Sequence, residues 1–413
     1  MKPICLFFVV IVVSISSCTT TEDDVPKVEP AIITINVNAT FPAAGHVWAF
    51  VTDSRGDIIS SQKLSIGSNK FTGTVPDVIN VTFLEYWLDT QNHYKFTTYP
   101  NVAANSVMVM DQANGLGWYS TTEYSLSARI SVTNFEETIN TSKQVAITDG
   151  YAYGYTQTTP PEMTLKLHNS SVNVLVSGFK GDSSNPVHGW INDVKNGDIK
   201  SIDFNDFVPF DKTISLPHSN SLYAYIGGYK LDGTKKISFT MFSTLAELSP
   251  LAGDLKAKVG YLDGFDLYET HVESWLETKL SGIVMYRRLG TINPAITLPE
   301  YEMTISNAEL GNFNFTYTGD SDFQLHTWYY NEGNNYVFWE VYSDDSSLPV
   351  FEAIPENILA QFPVLSFSKF QHETSQFYHC SDGYNYSDYF QDFQKGNYPF
   401  TNPDYYELHF RSH

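Results

Sequence analysis

Two histidines and a cysteine near the C-terminus are the residues whose types could bind a metal. His372, His379 and Cys380 lie close together in the sequence, and imidazole nitrogens and thiolate sulfurs are the usual zinc ligands. The gap between the histidines matches no standard zinc spacing, and a fourth ligand is missing. The stretch HETSQ, which begins at His372, also lacks the second histidine of a zinc-protease motif. We therefore expect ordinary histidines and no metal site.

Motifs for nucleophilic catalysis and phosphate binding are absent. The sequence holds no Gly-x-Ser-x-Gly, no P-loop and no Gly-x-Gly-x-x-Gly. Ser-x-x-Lys occurs at 60–63, 177–180 and 366–369, but without companion motifs. Asp320 and Asp322 lie in an apparent turn, where aspartate commonly caps its own backbone. A glycosidase needs two carboxylates about 5 to 10 Å apart, and sequence cannot select such a pair from 46 acids. The sequence thus predicts no catalytic residue and no cofactor.

Aromatic residues are dense near the C-terminus, where residues 372–413 contain twelve Phe or Tyr. Such rings can stack on sugar faces, with Asp382, Asp388 and Asp392 binding the hydroxyls. They also serve as strand formers and core residues. Because aromatics make up 15% of the whole chain, the core interpretation is favoured. In Trp328-Tyr329-Tyr330, alternation along a strand puts at least one ring in the core.

The first seventeen residues have the pattern of a targeting segment. Lys2 precedes an apolar run from Ile4 to Val13, and a serine-rich stretch then leads to Cys18. As a helix, this run spans about 15 Å, half of the roughly 30 Å hydrocarbon core of a bilayer. Residues 1–17 are therefore predicted to be a cleaved signal peptide rather than a membrane-spanning anchor.

The triplet Ile15-Ser16-Ser17, directly before Cys18, resembles the lipobox of bacterial lipoproteins. The resemblance implies that the Cys18 sulfur is alkylated by diacylglycerol, that the leader is cut just before it, and that the new amino group is acylated. Two or more acyl chains anchor a protein stably, at about 0.8 kcal/mol per buried CH₂. Cys18 is thus the expected lipidation site, and the membrane is an expected partner.

Residues 18–30 are predicted to be a flexible acidic tether, because they are polar and contain two prolines. Their cluster Glu22-Asp23-Asp24 is similar to the export signal of surface lipoproteins in Bacteroidetes-type bacteria. Thr19 is not the aspartate that implies inner-membrane retention in that family. The resemblance implies an outer-membrane lipoprotein that is exposed at the cell surface.

The net charge limits which partners the chain could bind, and the cysteine count limits the possible sources of its stability. The formal net charge is −22, and loss of Lys2 with the leader makes the mature chain one charge more negative. Such a chain repels phosphate backbones and anionic headgroups, which argues against nucleic acid as a partner. After removal of Cys5 and modification of Cys18, Cys380 has no cysteine to pair with. Stability must therefore come from burial.

Period-two alternation and turn residues dominate the rest of the chain. They predict an all-β fold of tandem immunoglobulin-like or transthyretin-like β-sandwich domains with few short helices. We expect three β-rich domains, at residues 31–112, 113–258 and 259–413, the last of them aromatic-rich with a short helix. The first domain contains a hairpin about the turn Asp53–Asp57 and is loosely similar to the carboxypeptidase-regulatory type domain.

Several individual elements are also predicted. Two further hairpins are expected about Asn169-Ser170 and about Asp232-Gly233. The stretch 243–260 could hold a broken helix, whereas 265–280 favours a strand over an amphipathic helix. The sequence IPENILAQFP (354–363) predicts one short helix that begins at a proline.

Three classes of function fit these observations. The first is a non-catalytic surface lipoprotein that binds a glycan, a peptide or a partner outer-membrane protein. The second is a fimbrillin-like structural or anchor subunit, whose strand pattern the stretch MTLKLHNSSVNVLVSGF loosely resembles. The third is a carbohydrate-active hydrolase with carboxylates drawn from distant segments. We favour the first, for which a shallow aromatic face without a carboxylate of raised pKa is expected; a hydrolase would show a deep pocket and such a carboxylate.

Overall fold

Alternating apolar and polar residues form strands in most of the chain. The structure, a computed structural model, describes residues 31–38, 46–74, 77–110, 117–118, 124–135, 145–156, 160–181, 184–216, 221–232, 235–243, 257–276, 282–297, 301–344, 348–380, 383–394 and 404–411. All of them belong to one compact unit, Ala31–His413.

The described residues contain 28 strands and two α-helices. The strands of the first half are β1 Ala31–Val37, β2 His46–Thr52, β3 Ile58–Lys63, β4 Gly67–Thr72, β5 Val78–Leu88, β6 Asn92–Ala103, β7 Ser106–Met110, β8 Gly117–Trp118, β9 Leu126–Thr133, β10 Val145–Thr148, β11 Tyr153–Thr156, β12 Glu162–Leu167, β13 Ser171–Phe179, β14 Pro186–Lys195, β15 Ile199–Asp203, β16 Val208–Pro209 and β17 Lys212–Ser215. Those of the second half are β18 Ser221–Asp232, β19 Lys235–Ser243, β20 Lys258–Tyr261, β21 Leu267–Leu276, β22 Gly282–Gly290, β23 Glu302–Asn307, β24 Asn314–Thr318, β25 Phe323–Glu332, β26 Asn335–Ser343, β27 Gln371–Cys380 and β28 Asp404–Arg411. The helices are α1 Glu356–Gln361 and α2 Tyr386–Gln394.

One large sheet runs through the described part of the chain. Its 13 strands lie in the order β3-β2-β5-β6-β26-β25-β27-β28-β22-β21-β18-β19-β8. Most neighbours are antiparallel, but β6 and β26 are parallel, with Asn92 opposite Asn335. This sheet therefore includes strands from all three predicted domains, whose boundaries stay a prediction.

Smaller sheets complete the sandwich-like layers. The three strands β4-β1-β7 share a core with one end of the large sheet, where Ile33, Phe71 and Phe83 are buried together. The sheets β11-β10-β13-β14-β16 and β12-β9-β15 share a second core of aliphatic residues. The hairpin β23–β24 lies over β25 and β27 through rings such as Phe315. The predicted all-β class with few short helices is confirmed.

Helix α1 covers the opposite face of the large sheet from β4-β1-β7. Ile358 of α1 is fully buried in a core with Phe96 and Trp339 of the sheet. Pro355 is the N-cap residue of α1. The helix therefore begins one residue later than predicted, since the sequence pattern put Pro355 at its first position. The helix predicted at 354–363 is thus confirmed.

Other local predictions can be compared with the strands. The hairpins about Asp53–Asp57 and Asp232-Gly233 and the strand in 265–280 are confirmed. The hairpin about Asn169-Ser170 is wrong, because β12 pairs with β9 whereas β13 pairs with β10 and β14. The chain crosses there from one layer of a sandwich to the other. Most of the possible helix at 243–260 lies outside the described residues.

Residues 1–30, with Cys18, also lie outside the described residues. Among the residues that the structure describes, no helix combines the length and the apolar character needed to span a bilayer.

Candidate functional site

The parallel pairing of β6 with β26 brings two distant hairpin turns side by side. Each strand begins directly after its turn, so the β5–β6 turn and the β25–β26 turn lie at the same end of the sheet. The amide N–H of Asn92 donates to the carbonyl of Asn334 at 2.9 Å, and the Asn92 side-chain amide donates to Asn335 Oδ1 at 3.0 Å. Residues 243 positions apart therefore form one corner.

Next to this corner, a row of aromatic side chains crosses four strands. We call Trp87, His93, Tyr336, Tyr329 and Phe338 the aromatic row; all five are half-buried. The rings of Trp87 and His93 stack at 5.0 Å with an interplanar angle of 3°, and those of His93 and Tyr336 stack at 5.4 Å. Tyr329 lies 6.2 Å from Tyr336 and 4.9 Å from Phe338. The row is continuous from β5 to β25.

Strand alternation decides which face of the sheet carries the row. Along β26, Val337, Trp339 and Val341 are fully buried on the α1 side, and the residues between them point to the other face. On that other face, one end of the strands is covered by β4-β1-β7 and α2. The half-buried aromatic row lies at the opposite end. There the five side chains of the row stay partly exposed.

Three charged side chains continue the row along the same face. Lys95 lies opposite Glu85 on the neighbouring strand, and its Nζ is 2.9 Å from Glu340 Oε2. Burial raises the pKa of the Glu85 carboxyl; Lys95 opposes this rise, and the nearby Glu340 carboxylate adds to it. At the row's end, the backbone N–H of Gln91 and the His93 imidazole both hold the pKa of Asp89 below its usual value.

Replacing Glu85 with glutamine should stabilise the protein at pH 7. Because the folded pKa is above the ordinary value of 4.5, the folded state retains a proton that the unfolded chain releases. The free energy of unfolding therefore falls as pH rises through the window above 4.5, and the glutamine variant avoids this loss. Thermal melts at pH 7 should show a higher Tm for E85Q, with the gain vanishing near pH 4. Exposed Glu302→Gln is the control; a lower Tm for E85Q at pH 7 would contradict the argument.

A second group of polar residues is buried under the hairpin β23–β24. Ser375 Oγ lies 2.7 Å from His326 Nδ1 and 2.9 Å from His372 Nε2, and His326 Nε2 lies 3.0 Å from Gln324 Oε1. Ser375 and His326 are fully buried. Burial lowers the pKa of His372 to about 4 and that of His326 well below its usual range. Both imidazoles are therefore neutral at pH 7, and this serine is closed to a substrate.

The three residues considered as metal ligands are not brought together. His372 and His379 lie at opposite ends of β27, about 23 Å apart at 3.3 Å per residue, and Cys380 contributes to the core on the other face. His379 Nδ1 lies 3.1 Å from Asp322 Oδ2, which also accepts the backbone N–H of Cys380 at 2.7 Å. Asp322 thus joins two strands rather than capping its own turn. The described residues contain no group of three or more His, Cys, Asp or Glu that could hold a metal ion.

The described aromatics of the C-terminal stretch lie mainly in cores. Phe377, Tyr378, Tyr386 and Tyr389 are buried, which confirms the core interpretation for these four. Asp392 accepts the hydroxyl of Tyr384, and Asp388 accepts the backbone N–H of Asn385; Asp382 lies outside the described residues. Helix α2, which holds several of these residues, was not predicted, because its sequence YSDYFQDFQ has few strong helix formers.

Sequence reasoning also missed the aromatic row as a unit. Trp87 and His93 flank one hairpin turn, and Tyr329 and Tyr336 flank another. The available signal was the presence of aromatic residues on both sides of two polar turns. Nothing in the sequence indicates that the two hairpins are neighbours.

No protein-family model matches this sequence, and the search of curated proteins returned no significant match.

Proposed function

We propose that this chain is a lipid-anchored lipoprotein of the outer membrane or cell surface, and that its folded part binds a ligand without catalysis. The ligand would be a glycan, a peptide or a partner outer-membrane protein. The observation that carries the proposal is the aromatic row, a continuous set of half-buried rings on one face of the large sheet. Aromatic side chains with a few polar groups are typical of ligand sites.

The location rests on the sequence. The lipobox resemblance before Cys18 supports an acyl anchor, and the acidic cluster Glu22-Asp23-Asp24 supports export to the surface. A tether of about a dozen residues is able to span roughly 40 Å when extended. Such a spacer would hold the folded part clear of the lipid headgroups.

The anchor can be tested by changing Cys18 to alanine. The wild-type protein, produced in a bacterium that matures lipoproteins, should incorporate labelled palmitate and enter the detergent phase on phase separation. The C18A variant should lose the label and remain in the aqueous phase, because the sulfur that carries the diacylglycerol is gone. Cys5→Ala is the matched control and should behave like the wild type. Palmitate incorporation that persists in C18A would contradict the proposal.

One observation favours a hydrolase as a second candidate. Glu85 has a raised pKa and lies near a second carboxylate, Glu340, as an acid and its partner do in a glycosidase. The two candidates differ in one measurable product. A hydrolase would release reducing ends from a bound polysaccharide, and both E85Q and E340Q would stop that release, whereas a binding protein would release none.

A further inference from the structure

The ligand of the aromatic row must be held by side chains. Strands β6, β26 and β25 each have a neighbour on both sides, so their backbone N–H and C=O groups already take part in the sheet. A peptide could not add to these strands as a further strand, which is the usual way in which a sheet binds an extended peptide. Recognition at this face therefore depends on rings and on polar side-chain atoms.

Trp87 offers the ring best placed for stacking. Among the described residues, its one ring contact is with His93, which fixes the plane of the indole. Strand β2 begins at His46, opposite Tyr86, so its described residues stop one position short of Trp87. Within the described part of the chain, no second ring stacks on the indole, and Trp87 is partly exposed; such a face suits an apolar, C–H-rich surface. Tyr336 adds a phenol whose hydroxyl makes no hydrogen bond within the described part of the chain.

The two turns at the end of the row supply groups that bind hydroxyls. Gln91 lies between β5 and β6, and Asn334 lies between β25 and β26, so each turn contributes an amide side chain. The amides of Asn92 and Asn335 are bonded to each other, to Tyr86 and to Glu332 on the α1 face. Each amide is able to donate and to accept hydrogen bonds, and the Asp89 carboxylate accepts them. A sugar ring carries both a C–H face for the indole and hydroxyls for these groups.

The charges near the row disfavour an anionic ligand. Lys95 is paired with Glu340 at 2.9 Å and lies opposite Glu85. The His93 imidazole lies 3.4 Å from Asp89, whose side chain is 57% exposed. With a net charge of −22 over the chain, a polyanion approaching this corner would be repelled.

We infer that the aromatic row and its two turns bind a neutral polysaccharide, with a sugar ring stacked on Trp87 and its hydroxyls held by Asp89 and by the amides of Gln91 and Asn334. This inference rests on the proposed binding function and specifies its ligand class. The row crosses four strands spaced about 4.8 Å apart, so it is long enough for more than one sugar unit.

Affinity electrophoresis of the full chain in non-ionic detergent tests the inference. Separate native gels would contain one neutral polysaccharide each: a soluble β-glucan, a mannan, a xylan or dextran. A further gel would contain polygalacturonate as the anionic probe. A tryptic digest of casein, added to the protein before electrophoresis, would compete for the same face. We expect at least one neutral polysaccharide to retard the protein and polygalacturonate not to. Trp87→Ala should weaken the retardation roughly tenfold or more, and Tyr336→Ala should weaken it less. Trp190→Ala, which removes a 41% exposed ring from another sheet, is the matched control and should have no effect.

The outcomes separate this inference from the proposed function. If the row binds casein peptides or polygalacturonate instead, and Trp87→Ala abolishes that binding, the polysaccharide class is wrong while a binding function stands. If no probe shows binding that depends on Trp87, in variants whose thermal melts match the wild type, the polysaccharide inference fails and the binding function loses the observation that carries it.

Discussion

Replacing Trp339 with alanine is expected to destabilise the protein by about 3–5 kcal/mol, the usual loss for a buried tryptophan. Trp339 lies in the middle of the large sheet and is 0% exposed. Its ring stacks on Phe96 at 4.6 Å and meets Phe351 and Phe370 edge-on. The cavity would lie in the core that α1 shares with the sheet. Urea unfolding followed by circular dichroism measures the loss.

Two further variants separate packing from hydrogen bonding at this position. The indole Nε1 donates to Thr98 Oγ1 at 2.9 Å, and Thr98 also bonds to Thr82. Trp339→Phe keeps most of the ring contact but removes this donor, so we expect an intermediate loss of about 1–2 kcal/mol. Trp190→Ala should cost under about 1 kcal/mol, since that ring is exposed. Equal losses for Trp339→Ala and Trp190→Ala would show that this core is not what stabilises the sheet.

Mild acid is expected to weaken the fold through the two buried histidines. His372 has a folded pKa of about 4, against 6.5 in the unfolded chain, so the unfolded chain binds a proton that the folded protein does not. The stability is complete above pH 6.5 and is lost as pH falls toward 4. His372 alone accounts for roughly 2 kcal/mol between pH 7 and pH 5, and His326 acts in the same direction. Unfolding free energies from urea titrations at pH 7, 6 and 5 measure this slope.

The surroundings of the two imidazoles explain why the effect should be large. Their contacts within the described residues include Gln324, Ser375 and the rings of Phe313, Phe315, Trp328 and Phe377, none of which carries a charge. Glu85 acts with the opposite sign, because its pKa is raised. His372→Gln keeps a hydrogen-bonding group beside Ser375 and should reduce the slope. His379→Gln is the control, since His379 lies half-buried beside Asp322; an unchanged slope in H372Q would refute the assignment.

Local sequence patterns predicted the strands well, because the signals act over a few residues. The run YVFWEVYS alternates in sequence and alternates in burial along β26. The hairpin of β18 and β19 follows from its Asp-Gly turn between two β-rich runs. The same reasoning failed at Asn169-Ser170, where two short strands beside polar residues belong to different sheets. A turn signal marks where a strand ends, not which layer the next strand joins.

Local sequence patterns likewise did not locate the candidate site. Sequence reasoning looked for an aromatic platform among residues 372–413, where aromatics are most concentrated. In the structure, Phe377 and Tyr389 of that stretch pack into cores, and the aromatic row comes from two hairpins far apart in the sequence. Aromatic density alone does not distinguish a core ring from a surface ring. That distinction depends on what covers each face of the sheet.

The sequence by itself determined the strand character of the chain, its acidity and the short helix α1, because alternation, charge and proline position are local properties. Only the tertiary structure decided that β6 lies parallel to β26 and that Asn92 meets Asn335. Backbone N–H and C=O groups are the same in every strand, so any two strands are able to pair. The choice of neighbour depends on how whole layers bury their apolar faces, and that choice places Trp87 and Tyr336 in one row.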